Sequence, residues 1–140
     1  MGITGVFLIV CGAVLSWAAE ATARGRMGIN SLIGIRVGFV TRSDAAWLAG
    51  HRAARIPTHA AAAVFAAMGV FALVFRGPEQ VLGLTVIAGS LGVLGLVLAA
   101  AVRANRAAYR VVADETADYR DAALPGNSPG SGSRGLSVPE

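Results

Sequence analysis

The sequence predicts an all-α integral membrane protein with three transmembrane helices, a motif-bearing loop and a disordered C-terminal tail. Hydrophobic residues make up 55% of the 140-residue chain, and charged residues only 14%. Three apolar runs also approach or reach the roughly 17–25 residues that a helix needs to cross a bilayer. We therefore expect a membrane domain over residues 1–102, with spans at about 3–19, 57–75 and 80–102.

The first run, residues 3–19, is ITGVFLIVCGAVLSWAA. As a helix it covers roughly 25 Å, slightly less than a typical hydrocarbon core. Trp17 is expected near the membrane interface, where indole rings prefer to lie, and Cys11 is expected to fill apolar space. A cleaved signal peptide is the alternative, but no Lys or Arg precedes the run, and such leaders begin with positive charge.

Residues 20–56 form the predicted motif loop. They carry six Arg residues, and Asp44 is the one acid after Glu20. Positive charge in a short loop keeps it on the cytoplasmic side, which places the N-terminus outside. The Gly-rich segment 29–40 is expected to be extended or shallowly embedded, because glycine disfavours helix.

A short interfacial helix is predicted over residues 45–54. Thr41 or Ser43 can cap it, and Asp44 suits the positive end of the helix dipole. Trp47 and His51 share one face of this helix, and Trp47 is expected to lie in the headgroup region.

The second span is predicted to begin at Pro57, since proline suits the first turn of a helix. A short external turn, residues 76–79, leads into the third span. That span contains two pairs of small residues, Ala88 with Gly92 and Gly95 with Ala99. Such pairs allow close helix packing, although Gly and Ala are abundant here in any case.

The C-terminal region follows at once with Arg103, Arg106 and Arg110, which keep this end inside. Residues 103–122 are expected to continue as a cytoplasmic helix. Residues 123–140 are rich in Pro, Gly and Ser, a composition typical of a disordered tail. All twelve basic residues are Arg, a bias that suggests a GC-rich bacterial genome. We thus expect a multi-pass protein of the bacterial cytoplasmic membrane.

The motif loop and the following helix start contain a spaced set of nine residues: Asn30, Gly34, Ile35, Arg36, Ser43, Asp44, Trp47, His51 and Arg52. This set resembles the core of the SdpI/YhfL family of bacterial membrane proteins. The chain departs from the family pattern at Val37-Gly38, where the family has Thr-Pro, so it loses the fixed φ of proline. The best-known members also have more spans, so this chain resembles a short three-span form.

The resemblance implies immunity to, or sensing of, a membrane-active killing peptide by non-covalent binding, with the nine motif residues as the site. The implied partners are the lipid bilayer and a toxin peptide or cytoplasmic regulator. Arg36 is the leading binding residue, because guanidinium groups bind lipid phosphates and carboxylates, although it could equally anchor the topology or close the loop. His51 is expected to form hydrogen bonds within the loop, for example to Asp44 or Asn30.

Other classes of function have less support. The sequence has no Ser-His-Asp spacing, HExxH motif, phosphate loop or paired carboxylates, so we expect neither an enzyme nor a cofactor. His51 and His59 lack further ligands, so no metal is expected. Nucleic-acid binding is rejected because the Arg residues flank apolar spans. The alternatives are a small accessory subunit of a larger membrane assembly, with other subunits or copies of itself, and an oligomeric small-solute transporter or channel. A transporter usually needs an ionisable group inside the membrane.

Overall fold

The computed structural model describes residues 2–29 and 32–123, and these form three helices. The helices are α1 (Gly2–Ala23), α2 (Asp44–Val74) and α3 (Glu79–Ala123), with no strand among the described residues. Each helix is long and apolar enough to cross a membrane. The predicted all-α, three-span architecture is therefore confirmed. Asn30 and the tail beyond Ala123, which was expected to be disordered, lie outside the described residues.

α2 begins where the sequence predicts a helix start. Ser43 is the N-cap, with extended backbone, and its side-chain oxygen accepts the Ala46 N–H at 3.1 Å. Such a cap satisfies one of the backbone donors that the first turn leaves unpaired. Asp44 follows in the first turn.

The break expected between an interfacial helix and a span starting at Pro57 is absent, so that prediction is wrong. α2 is one helix of 31 residues with Pro57 inside it. Proline removes one helical hydrogen bond, yet helices in membranes tolerate it where neighbouring polar groups re-satisfy the backbone. Next to it, the Thr58 hydroxyl donates to the Ala54 carbonyl at 2.8 Å.

α2 and α3 are both longer than the hydrocarbon core of a bilayer is thick. Their 31 and 45 residues correspond to roughly 46 Å and 67 Å, against a hydrocarbon core of roughly 30 Å. A four-residue turn joins them, and α3 continues through the extension predicted at residues 103–122. We call the end of the bundle with residues 24–43 the loop end, and the opposite end the turn end.

α2 is the central helix of the bundle. It packs against both α1 and α3, whereas the backbones of α1 and α3 do not meet within the described residues. Glycines allow α1 and α2 to approach closely: a Cβ on Gly12 would lie 2.7 Å from the Ala62 carbonyl oxygen. Gly92 and Gly95 of α3 instead face open space. The small-residue pairs of α3 therefore do not form its contact with α2, which uses other residues of α3.

The main buried cluster lies at the loop end. Trp47 of α2 and Val40 of the loop are almost fully buried there, together with alanines of α2 and α3. The small alanines let α2 and α3 pack closely around the large indole ring. The loop end of the bundle thus has a core of its own, which positions the motif loop.

Candidate functional site

His51 holds the motif loop on α2. Its side chain is 4% exposed, its Nε2 accepts the Ile35 N–H at 2.9 Å, and its Nδ1 lies 2.8 Å from the Trp47 carbonyl oxygen. Because a carbonyl oxygen only accepts, Nδ1 carries the proton, and Nε2 is free of one. His51 is thus neutral and binds backbone groups. The expected bond to Asp44 is absent, since Asp44 is exposed in the first turn of α2.

Gly34 lies directly against the two aromatic rings beneath the loop. Its φ is +115°, a conformation that side chains disfavour. A Cβ there would be 2.6 Å from Trp47 Cη2 and 2.7 Å from His51 Nε2. Glycine is therefore required at this position both for its backbone conformation and for lack of space.

The Trp47 side chain is buried within the protein and is not exposed to lipid headgroups as the sequence led us to expect. Its side chain is 1% exposed, and its Nε1–H donates to the Met27 carbonyl at 2.8 Å. The indole also contacts the His51 ring, with 4.1 Å between centroids. The reason is that α3 extends along this part of α2 and covers its face together with the loop. Trp17, by contrast, is 57% exposed on α1.

A second attachment joins the loop to α3. The Phe39 N–H donates to Asn105 Oδ1 at 2.9 Å, and the Phe39 ring meets Tyr109 edge-on. Gly38 has a φ of +50°, and a Cβ there would collide with the Asn105 side chain. Glycine at the position where the family pattern has proline therefore makes room for this contact.

The N-cap residue also reaches α3, because the Ser43 hydroxyl donates to Glu115 Oε1 at 3.1 Å. Sequence reasoning missed both Asn105 and Glu115. Their partners lie 66 and 72 positions away in the chain, so no local spacing reveals them. The one available signal was Asn105 itself, an amide among alanines and arginines.

The motif residues divide into two groups. Gly34, Ile35, Trp47 and His51 come together, as described above. Arg36 and Arg52 are exposed at the loop end. Arg52 Nε lies 3.4 Å from the carbonyl of Ala23, where α1 ends, and a basic side chain suits the C-terminus of a helix.

An apolar groove runs between α1 and α3 over α2, with a volume of about 580 Å³. Its walls include Val14 of α1, Phe65 of α2 and Val97 of α3, and loop residues 32–35 close it at the loop end. His51 also lines it, but both of its nitrogens are already bonded. Since every buried side-chain polar atom described has a partner, the groove suits an apolar ligand. We call it the motif groove.

A polar cluster lies on the α1–α2 interface near the loop end. Arg55 binds the Glu20 carboxylate through two nitrogens at 2.8 Å each, and Arg24 binds it at 2.5 Å. His59 Nε2 lies 3.2 Å from Glu20 Oε2, and His59 Nδ1 lies 3.0 Å from Ser16 Oγ. An ionised Glu20 accepts a hydrogen bond from Nε2–H, and in the neutral ring Nδ1 accepts a hydrogen bond from the Ser16 hydroxyl.

Sequence reasoning placed Glu20 only at the end of a span and did not find this polar cluster. The spacing held part of the signal, since Ser16 and Glu20 are four residues apart on α1, as are Arg55 and His59 on α2. The sequence did not show which face of α1 contacts which face of α2. Within residues 2–29 and 32–123, no group of three or more His, Cys, Asp or Glu side chains could hold a metal ion.

No family model, curated protein or solved structure matches this chain. The function must therefore be argued from the motif loop, the motif groove and the polar cluster themselves.

Proposed function

We propose that this protein gives immunity to, or senses, a membrane-active killing peptide in the bacterial cytoplasmic membrane, by binding an apolar segment of that peptide in the motif groove. One observation carries the proposal. The loop residues that close the groove, 32–35, include Gly34 and Ile35 of the family-like motif, and His51 beneath them is a motif residue too. The motif and the apolar groove thus form one site.

The chemistry of the groove suits such a peptide. The groove lies between two helices whose backbones do not meet, so a segment already within the bilayer can enter sideways from the lipid. Inside a membrane, van der Waals packing rather than the hydrophobic effect drives such association. Leu32, 89% exposed at the edge of the groove, offers a first contact.

The exposed arginines of the loop supply the polar half of the site. Arg36 and Arg42 are exposed at the loop end, and guanidinium groups bind carboxylates and phosphates in a defined geometry. A peptide whose apolar segment lies in the groove and whose C-terminus lies at the bilayer surface would present its terminal carboxylate to these arginines. The arginine excess of the loop favours the cytoplasmic side for this contact.

Sensing would use the loop as the moving part. A peptide in the groove presses on residues 32–35, and the same loop is bonded to α3 through Phe39 and Ser43. A ligand that binds one loop position better than another shifts the population between them. The change then reaches the cytoplasmic part of α3, where a regulator can read it.

A protection assay tests the proposal with a matched pair of variants on α3. Both Val97 and the neighbouring Leu98 are exposed on α3, but only Val97 lines the motif groove. A sensitive bacterium carrying the wild type, Val97→Trp or Leu98→Trp at equal membrane levels would be challenged with membrane-active killing peptides from related bacteria. We expect protection by the wild type and Leu98→Trp, and its loss in Val97→Trp. Absence of protection by the wild type against every peptide would contradict the proposal.

A small accessory subunit of a larger membrane assembly is the second candidate. The most apolar window of α3 is only 6% buried, and the stripe with Gly92 and Gly95 has room for another helix. Particle size after solubilisation in a mild detergent separates the two candidates. A stable complex with other subunits would support the accessory role, and a lone monomer would count against it.

A further inference from the structure

The polar cluster at the loop end has an excess of positive charge on its outer side. Two guanidinium groups, of Arg24 and Arg55, surround the single carboxylate of Glu20. The arginine side chains are 54% and 49% exposed, whereas that of Glu20 is only 23% exposed. The carboxylate therefore lies on the inside and the cations on the outside. An anion that approaches from the membrane surface meets the arginines first.

A narrow cavity continues from this cluster toward the turn end. It has a volume of about 300 Å³, and both Ser16 and His59 line it. Its remaining walls are mostly small residues, among them Ala13 of α1 and Ala63 and Ala66 of α2. Because most of these side chains are small, an apolar slot remains along the surface of the α1–α2 interface, which we call the lipid slot. It is separate from the motif groove, and the two share no lining residue.

We infer that the polar cluster and the lipid slot together bind one anionic phospholipid. The phosphate would lie against Arg24 and Arg55, and one acyl chain would occupy the slot between α1 and α2. The arginines lie at the membrane surface and the apolar slot lies below them. A phospholipid has the same arrangement, with its phosphate at the surface and its acyl chains below. Basic residues near the membrane surface attract anionic lipids in particular. A zwitterionic lipid would bring its own cation to an already positive cluster.

The bound lipid would strengthen the packing of α1 on α2. The two helices contact each other closely, and the lipid would bridge them at the loop end as Glu20 does with Arg55. α1 forms one wall of the motif groove, so the lipid would also support that wall. The inference does not depend on the proposed function, because it uses other residues and another surface.

Native mass spectrometry of the full chain in mild detergent tests this inference, with phosphatidylglycerol and phosphatidylcholine as the two probes. We expect one phosphatidylglycerol to remain bound, with an affinity about tenfold higher than that of phosphatidylcholine, as the excess positive charge predicts. Arg24→Gln should remove most of this preference while leaving the Arg55–Glu20 pair in place. Arg103→Gln, an exposed arginine of α3 near the same end, is the control for general loss of charge.

The slot is tested separately with Ala63→Phe, which fills it, and Ala67→Phe, an exposed alanine one turn away that does not line it. We expect lipid retention to fall in Ala63→Phe alone. Equal binding of the two lipids, or equal retention by the two phenylalanine variants, would overturn the inference. Thermal stabilisation by inorganic phosphate equal to that by phosphatidylglycerol would also overturn it and indicate a free-anion site. Val97→Trp should leave lipid retention unchanged, so failure here is distinct from failure of the peptide-binding proposal.

Discussion

Gly34 offers the sharpest test of how the motif loop is held. In Gly34→Ala, the added methyl group meets two obstacles. An alanine at a φ of +115° costs about 1–3 kcal/mol. The Cβ would also lie 2.6 Å from Trp47 Cη2, and the indole cannot easily yield because its Nε1–H is bonded to the Met27 carbonyl.

The least costly response is for the loop to leave its position. The hydrogen bond from the Ile35 N–H to His51 Nε2, 2.9 Å long, is then lost, and a typical bond of this kind contributes about 0.5–1.5 kcal/mol. Because the wild type loses the same bond when its loop opens, the opening equilibrium shifts by the strain that opening relieves, about 1–3 kcal/mol before the contact with Trp47 is added. Because every 1.4 kcal/mol or so is a factor of ten, the loop should open at least about tenfold more often.

Hydrogen exchange of the purified protein in detergent measures this opening directly. We expect the Ile35 amide to be protected in the wild type and to exchange at least about tenfold faster in Gly34→Ala. Gly28→Ala is the matched control, since a Cβ there meets no atom within 4 Å, and it should exchange like the wild type. If the Ile35 amide of Gly34→Ala exchanged as slowly as that of the wild type, the reasoning that the loop is held against Trp47 and His51 would be refuted.

Three further predictions concern other parts of the loop end. In Trp17→Phe, the remaining Trp47 should resist quenching by brominated lipids, because it is buried in protein; strong quenching would show that it faces lipid after all. Asn105→Ala should speed exchange of the Phe39 amide severalfold through loss of the acceptor, whereas Asn105→Asp, which keeps an oxygen at that position, should preserve most of the protection. Pro57→Ala should raise the free energy of unfolding by about 1 kcal/mol or more, because α2 is continuous and alanine restores a helical N–H. A lower melting temperature than that of the wild type would contradict this.

Only some of the motif residues that the sequence suggests for a binding site come together in the structure. Gly34, Ile35, Trp47 and His51 form the attachment of the loop, so the motif spacing did indicate residues that meet in space. Arg36, the leading residue from the sequence, lies exposed on the loop and contributes to the proposal only as a surface cation. The groove itself was not predicted, because its walls come from three helices with no distinguishing pattern of their own.

What the sequence determined by itself was the local part of the structure. The three spans follow from the length and apolarity of continuous runs. The start of α2 follows from Ser43, whose side chain caps the helix by binding the N–H of Ala46, three residues further along the chain. These features depend on neighbouring residues and on the bilayer as solvent, so the sequence contains their full cause. The destabilising effect of Pro57 on a helix is local too, but the helical segments on both sides of it are stable enough for α2 to continue through it.

Only the tertiary structure decided what each helix face meets. Trp47 is buried because α3, more than fifty residues later in the chain, packs over it together with the loop. Glu20 and His59 meet because the glycines of α1 and α2 let the two backbones approach in one register. In the membrane, almost any apolar face can lie against lipid at little cost, so apolar patterning does not reveal which faces pair. Shape and a few polar contacts between distant residues select the pairing, and with it the motif groove and the lipid slot.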